Sequence, residues 1–181
     1  MSNESSKPDA RVNLYRAKLT LCGIEPAERW IFVSIAAQRL FCYEGARLIK
    51  EYPCSTSAKP PSCQYGSNGT PPGLHKIAEK IGAGAARGAI FEKRADTGKT
   101  ALEDDTGKTY ITSRILWLEG LEEGKNKGYE CGSYNRKIYI HGINREEKIG
   151  SPWSNGCVEM KNDDVIGLFD WVKEGDRVLI D

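Results

Sequence analysis

The chain has 181 residues, of which 28% are charged and 39% are hydrophobic. This length fits one domain with a sizeable core and argues against two full domains, because domains cluster near roughly 100 to 150 residues. The 26 basic and 25 acidic residues are interleaved along the chain, which argues against a basic surface for nucleic acid or anionic membranes.

Residues 1–27 predict an N-terminal extension ahead of a domain that covers residues 28–181. The extension is polar, with scattered apolar positions and Pro26, so we expect a loosely docked arm. Its beginning lacks the apolar core of a signal peptide, and no apolar run in the chain approaches the roughly 18 to 20 residues that cross a bilayer. We therefore expect no membrane span and no export signal within this segment.

Three β-prone runs follow, at residues 30–35, 38–43 and 47–52, and the last two surround a turn at Gly45. They predict an antiparallel meander. Residues 53–73 hold most of the prolines and predict a long loop. Residues 82–88 are rich in glycine, but their spacing departs from the GxGxxG phosphate-binding pattern and no long helix follows. We predict a tight loop between strands there.

The C-terminal part contains two more β-prone runs, at residues 110–118 and 137–140. A helix is predicted from Asn162, which can cap it, to Gly175, which ends it. Residues 177–180 predict a closing strand. The fold is therefore predicted to be mostly β, with one C-terminal helix packed on it. The apolar residues that repeat at helical spacing in that helix are Val165, Leu168, Phe169 and Val172.

Six cysteines suit a disulfide framework by their even number, but they lack tight spacing and the chain is not a small loop-rich scaffold. We expect most of them to be reduced. The sequence has no CxxC pair and its two histidines lie far apart, so we expect no structural zinc site. The cysteines are Cys22, Cys42, Cys54, Cys63, Cys131 and Cys157.

The strongest chemical signal is the pair of His141, which follows the apolar run 138–140, and Cys157, which lies in a glycine-containing turn. A free cysteine has a pKa of about 8.5, so a neighbouring imidazole or positive dipole is needed to activate its thiol. A histidine at the end of a strand is held by a rigid scaffold, and Gly142 lets the next peptide turn sharply. This pattern indicates a cysteine enzyme, with the Gly142 carbonyl orienting the imidazole.

The backbone amides of Asn155, Gly156 and Cys157 predict an oxyanion site beside the nucleophile, because glycine lets an acyl oxygen approach closely. The alternative is that Cys157 is a small buried apolar residue and His141 a core residue with satisfied hydrogen bonds. The residue types alone leave both interpretations open.

A longer pattern resembles the L,D-transpeptidase catalytic domain, the YkuD or ErfK family, over about residues 28–181. The segments that carry the resemblance are Thr70–Ile77, Ile138–Gly142 and Ser154–Met160, followed by Asp164, Leu168, Val178 and Ile180. It implies a β-sandwich-like fold and acyl transfer on bacterial peptidoglycan. In that family the cysteine attacks the carbonyl of the third stem-peptide residue, releases the terminal D-alanine and forms a thioester. An amine of another stem then takes the acyl group, which forms a 3→3 cross-link. The implied ligands are peptidoglycan stem peptides and carbapenem-type inhibitors, and no metal or organic cofactor is expected.

Carried over by position, Cys157 is the nucleophile and His141 the general base and acid. Two positions depart from the family, which commonly has His where this chain has Asn155 and Arg where it has Glu159. Asn155 cannot titrate, but its backbone amide is unaffected, so we expect activity with one imidazole. Glu159 is acidic where the family commonly has a basic Arg, whose charge can contact a substrate carboxylate or position the loop.

Four further residues are candidates for substrate binding. His75 falls where the family usually has an aromatic residue, and it either packs near the cleft or contacts substrate. Tyr139 and Trp153 fit a sugar-peptide groove as well as they fit the core. Ser154 is expected to brace the turn before Cys157 by side-chain hydrogen bonds.

Three alternatives to a transpeptidase follow from the same residues. In a non-catalytic peptidoglycan-binding domain, Asn155 and Glu159 would have disabled the chemistry. In an L,D-carboxypeptidase, water would take the acyl group. A general cysteine peptidase fits less well, because in many small peptidoglycan-cleaving examples the cysteine precedes the histidine. The resemblance implies action in the periplasm or cell envelope.

Overall fold

The computed structural model describes residues 9–101 and 107–181. Within this part of the chain, no helix is long and apolar enough to cross a membrane. The elements in chain order are α1 (Ala10–Cys22), β1 (Arg29–Ser34), β2 (Arg39–Glu44), β3 (Arg47–Pro53), β4 (Gly73–Ile81), β5 (Ala89–Glu92), β6 (Ala95–Thr100), β7 (Ile111–Gly120), β8 (Tyr139–Ile143), a 3₁₀ helix (Glu146–Lys148), β9 (Val158–Met160), α2 (Asn162–Trp171) and β10 (Arg177–Ile180).

The strands of the described residues form one ten-stranded sheet in the order β3-β2-β1-β10-β4-β7-β5-β6, with β8 paired to β7 and β9 paired to β8. The first three strands form the expected antiparallel meander. The last strand, β10, lies between β1 and β4, parallel to the first and antiparallel to the second. The mostly β fold with a C-terminal helix is confirmed, as are the long loop before β4 and the tight glycine loop before β5.

Both faces of β1 are buried, each under one helix. Ile31 and Val33 belong to the core cluster that α2 covers, whereas Trp30 and Phe32 belong to the cluster that α1 covers. Successive side chains of a strand point to opposite faces, so a strand covered on both sides is a continuous apolar run. This accounts for the uniform hydrophobicity of residues 30–33.

Helix α1 corrects the expectation of a loosely docked arm. The Asp9 side chain caps its first turn by accepting from the Arg11 amide at 3.0 Å, and Gly23, with φ of 63°, ends it. On its buried face, the Tyr15 ring stacks on Trp30 with 4.0 Å between centroids. The segment before residue 28 thus packs firmly on the sheet, while the predicted domain boundary at this point stays a prediction.

The predicted limits of the C-terminal helix are wrong at both ends. Its N-cap is Lys161, without a side-chain capping bond, and Asn162 is already the first helical residue. The helix ends at Trp171 rather than near Gly175, which has φ of 90° and lies in the turn that leads into β10. Instead of capping the helix, the Asn162 side chain makes hydrogen bonds to β7 and β8.

Candidate active site

Strands β8 and β9 bring His141 and Cys157 to the same face of the sheet. The strands are parallel, with His141 opposite Glu159. Cys157 directly precedes β9 and lies beside Tyr139, whose amide donates to Cys157 Sγ at 3.4 Å. With strands about 4.8 Å apart and a rise of about 3.3 Å per residue, the β-carbons of His141 and Cys157 are roughly 8 Å apart. An imidazole and a thiol can meet across that gap.

His141 has the features of a general base. Its side chain is only 3% exposed, and Nδ1 lies 2.8 Å from the Gly142 carbonyl oxygen. Because a carbonyl only accepts, Nδ1 carries the proton and Nε2 is the basic nitrogen. Burial lowers the pKa of His141 to about 4. The imidazole is therefore neutral, and able to accept a proton, at neutral pH.

Cys157 is a protonated thiol in the resting protein. It is partly exposed, and its Sγ lies 3.6 Å from the Lys137 carbonyl oxygen. Burial is the main cause that raises its pKa to about 12; the Tyr139 amide and the Arg136 guanidinium oppose the rise, whereas the Glu159 carboxyl adds to it. A neutral thiol near a neutral imidazole favours proton transfer that accompanies the attack of the sulfur.

The turn before Cys157 is closed by Ser154, as expected. The Ser154 hydroxyl donates to the Cys157 carbonyl at 2.6 Å and accepts from the Gly156 amide at 3.2 Å. Gly156 has φ of 121°, a conformation that side chains rarely adopt. Because the Gly156 amide already donates to the Ser154 hydroxyl inside the turn, the amides of Asn155 and Cys157 remain as the predicted oxyanion donors.

Glu159 is a buried carboxyl at the edge of this site. It is 7% exposed, and its Oε2 has no hydrogen-bond partner among the described residues. Burial raises the pKa of Glu159 to about 7. A buried polar atom without a partner is uncommon and calls for an explanation.

Arg136 is a site residue that the sequence analysis missed. It donates to the Ser62 and Gly69 carbonyls at 2.8 and 2.6 Å and to the Ser67 hydroxyl at 3.3 Å. These bonds tie the loop before β4 to the segment before β8. Burial lowers the pKa of Arg136, yet its charge still favours the thiolate form of Cys157. No local motif marks this arginine, because its partners lie far away in the sequence.

Asn162 was also assigned the wrong role. Its Oδ1 accepts from the hydroxyls of Thr112 and Ser113 at 2.7 and 2.5 Å. Its Nδ2 donates to the Ile143 carbonyl at 3.1 Å and to Glu146 at 2.7 Å. One buried amide thereby links β7, β8, α2 and the 3₁₀ helix behind the candidate site.

The backbone behind His141 leaves no room for a side chain at Gly142. A β-carbon there would lie 2.5 Å from the Thr112 carbonyl oxygen and 3.1 Å from Asn162 Oδ1. Beside it, Ser113 adopts φ of 64° where the β7 and β8 register shifts. Bulges of this kind often lie next to active sites, where they redirect a side chain. Gly142 is thus required by close packing, and its carbonyl is held against His141.

His75 does not reach the site. It is fully buried, with Nδ1 at 2.9 Å from the Gly73 carbonyl and Nε2 at 2.8 Å from the Ser133 hydroxyl. It pairs with Gly120 at the end of β7, whereas His141 pairs with Ile115 in the middle of that strand. The structure therefore places His75 in a packing position, away from His141.

The two aromatic candidates differ in exposure. Tyr139 is 5% exposed and packs edge-to-face against Trp117 and His141, so its buried ring supports the imidazole. Trp153 is 37% exposed, with Lys148 Nζ 4.9 Å from its ring centroid, and it can face a substrate. Within residues 9–101 and 107–181, no group of three or more His, Cys, Asp or Glu side chains is placed to hold a metal ion.

Comparison with known proteins identifies the family. The family model for the L,D-transpeptidase catalytic domain, YkuD, matches residues 28–180. YqjB of Bacillus subtilis, described as an L,D-transpeptidase, is 48% identical over 54 residues, which are 29% of this chain and 31% of YqjB.

Solved structures show the same fold. An L,D-transpeptidase from Mycobacterium smegmatis matches with a TM-score of 0.53 and 17% identity, over 86% of this chain and 59% of its own. L,D-transpeptidase 3 from Mycobacterium tuberculosis, in complex with a faropenem-derived adduct, matches with a TM-score of 0.53 and 14% identity, over 84% and 60%. This chain spans less than two thirds of each of these relatives. Since the family model covers most of the sequence, the chain belongs to the L,D-transpeptidase catalytic domain family.

Proposed function

We propose that this chain is a peptidoglycan L,D-transpeptidase in which Cys157 is the nucleophile and His141 the general base and acid. The observation that carries the proposal is a neutral imidazole, fixed 2.8 Å from the Gly142 carbonyl, on the same sheet face as a partly exposed thiol. Membership of the L,D-transpeptidase family supplies the reaction class.

In the first half-reaction, His141 Nε2 takes the thiol proton while Cys157 Sγ attacks the carbonyl carbon of the third stem residue. The amides of Asn155 and Cys157 stabilise the oxyanion, a contribution of roughly 10² to 10³ in rate per donor. The C–N bond then breaks, His141 returns the proton to the leaving amine, and D-alanine departs from the thioester. In the second half-reaction, an amine of another stem attacks the thioester. His141 takes the amine's proton and returns it to the sulfur, and a 3→3 cross-link remains.

A polar cleft beside the nucleophile supports a peptide substrate. It has a volume of about 240 Å³, and its lining includes Asn135, Arg136, Lys137 and Asn155. Amide and cationic side chains suit the backbone and carboxylates of a stem peptide. The proposed place of action is the cell envelope, where this substrate lies.

The test is acylation by a carbapenem, followed by intact-protein mass; the β-lactam-derived adduct on the M. tuberculosis relative supports the choice of probe. We expect one adduct on the wild-type protein and none on Cys157→Ala or His141→Ala. Cys22→Ala is the matched control, because this thiol lies on α1 against the other face of the sheet. An adduct that persists in Cys157→Ala contradicts the assignment.

A tetrapeptide-stem disaccharide then distinguishes the activities. A dimer that has lost one D-alanine supports transpeptidation, whereas tripeptide stems without dimer indicate a carboxypeptidase. Retention on purified sacculi, with neither product nor adduct, would indicate a non-catalytic binding domain.

A further inference from the structure

Glu159 Oε2 is one of three buried side-chain atoms of the described chain that lack a hydrogen-bond partner; the others are the Nε atoms of Arg114 and Arg177. Glu159 sits on β9 two residues after Cys157 and directly opposite His141 on β8. Opposed residues of parallel strands point to the same face, so the carboxyl, the imidazole and the thiol share one face of the sheet. The proposed mechanism gives the carboxyl no task.

We propose that Glu159 is a positioning residue for His141, whose ionised carboxylate stabilises the imidazolium that forms when Cys157 gives up its proton. The inference rests on the proposed acyl-transfer function and deepens it. The three side chains then form a Cys-His-Glu set in which the Gly142 carbonyl holds Nδ1 and Glu159 supplies the counter-charge.

The carboxylate has two opposing effects, and distance decides between them. It repels a thiolate at Cys157 and so raises the pKa of that thiol, but it attracts a proton to His141. The β-carbon of His141 lies about 4.8 Å across the strand gap, whereas that of Cys157 lies about 6.6 Å along the strand. In the acylation transition state the negative charge has moved from the sulfur to the oxyanion, while the positive charge stays on His141. Attraction therefore exceeds repulsion.

Other charges near the site do not substitute for Glu159. On the segment before β8, Arg136 is held by the 62–69 loop. On the 3₁₀ helix, Lys148 lies over the Trp153 ring. Arg94 donates to the Tyr139 hydroxyl of β8 at 3.4 Å and lies over the Trp117 ring. Beside β9, the uncharged Ser55 exchanges two backbone hydrogen bonds with Glu159.

If Glu159 stabilises the imidazolium, its ionisation should be visible in the pH profile of the acylation rate. Burial raises the pKa of Glu159 to about 7, so the carboxylate forms over the range where the reaction is measured. His141 has already lost its proton at lower pH. Acylation should become at least tenfold faster as pH rises from 5.5 to 8.5, because a unit charge about 5 Å away, at an effective dielectric of about 20, exceeds that factor.

The experiment measures the second-order rate constant of acylation by a carbapenem, by intact mass, for wild-type protein, Glu159→Gln and Glu159→Asp across this pH range. We expect Glu159→Gln to lose the inflection near pH 7 and to match the slow acidic limb of the wild type at every pH. Glu159→Asp should recover part of the inflection. Glu123→Gln, which changes an exposed carboxylate paired with Lys127, should follow the wild-type profile.

Two results overturn the proposal while the transpeptidase assignment stands. One is a Glu159→Gln profile with the wild-type inflection. The other is a Glu159→Gln rate above that of the wild type at alkaline pH, which would mean that repulsion of the thiolate dominates. A wild-type protein without an adduct at any pH would instead refute the proposed function, and the role of Glu159 with it.

Discussion

Replacement of Glu159 by glutamine is expected to stabilise the folded protein above neutral pH. Burial raises the pKa of this carboxyl from 4.5 to about 7, so the folded state resists its ionisation more than the unfolded state does. A pKa raised by folding gives stability that is present below pH 4.5 and is lost as pH rises through 7. At about 1.4 kcal/mol per pKa unit, the ionised carboxyl costs about 3 kcal/mol of unfolding free energy at pH 8.5.

Glutamine has nearly the same shape, carries no charge and replaces an oxygen that has no partner. Relative to the wild type, Glu159→Gln should gain about 3 kcal/mol at pH 8.5 and under about 1 kcal/mol at pH 5. The corresponding rise in Tm at pH 8.5 is roughly 6 to 12 °C for a chain of this size. Urea unfolding at both pH values gives the free energies, with Glu123→Gln as the exposed control.

Parallel stability curves for Glu159→Gln and the wild type would refute the reasoning, because they would mean that Glu159 does not titrate between the two pH values. A gain at pH 8.5 together with slower acylation would show that the carboxyl destabilises the fold and assists the reaction. Strained or destabilised groups of this kind are typical of active sites.

Three further variants test the fold and the support of the site. Burial lowers the pKa of His75 to about 4, so the wild type loses stability as pH falls below 6.5. In His75→Gln, the loss of unfolding free energy between pH 7 and pH 4.5, measured by urea unfolding, should be about 2 kcal/mol smaller. Gly142→Ala should destabilise the protein by about 1 to 3 kcal/mol and slow carbapenem acylation, because its β-carbon would lie 2.5 Å from the Thr112 carbonyl. Tyr15→Ala should lower the unfolding free energy by about 3 kcal/mol or more, since its ring stacks on Trp30.

Matched controls accompany these variants. Leu21→Ala removes a side chain of α1 that is 79% exposed, so its effect should stay within about 0.5 kcal/mol. A Gly167→Ala β-carbon would meet only the Tyr52 hydroxyl at 3.3 Å, and acylation should be unchanged. Loss of acylation in His75→Gln with an intact fold would contradict a packing role, and an unchanged Tm in Tyr15→Ala would show that α1 does not contribute to the folded domain.

Two of the strands that were predicted correctly, β1 and β7, are largely buried, whereas β3 was predicted correctly although most of it is exposed. Residues 30–35 and 110–118 are rich in β-branched and aromatic residues because they cross the core. Strand β6, Ala95–Thr100, was missed because it is largely exposed and has no apolar alternation. It exists only because β5 supplies hydrogen-bond partners, which is tertiary context that a sequence pattern does not carry.

Helix α1 could have been predicted from its own residues. Val12, Tyr15 and Leu19 recur at helical spacing and are the buried positions, with Asp9 as the cap and Gly23 at the end. Their apolar signal is diluted by the charged residues between them. Arg136 and Asn162 differ in kind, since each makes its decisive contacts with segments that are remote in sequence.

In the proposed mechanism a cysteine next to a buried carboxylate acts as the nucleophile, and the charges around the site indicate how it can do so. In the family pattern a His and an Arg usually flank the nucleophile, where this chain has Asn155 and Glu159. Both replacements remove positive charge from the thiol's surroundings, which disfavours a thiolate. Arg136 supplies a cation from outside the motif, and its charge lowers the pKa of Cys157 while Glu159 raises it. Because the β-carbon of Glu159 lies about 4.8 Å from that of His141 and about 6.6 Å from that of Cys157, the proposed role of the carboxylate is to stabilise the imidazolium that forms during attack. In the proposed mechanism, proton transfer concerted with attack is the reaction path that this arrangement favours.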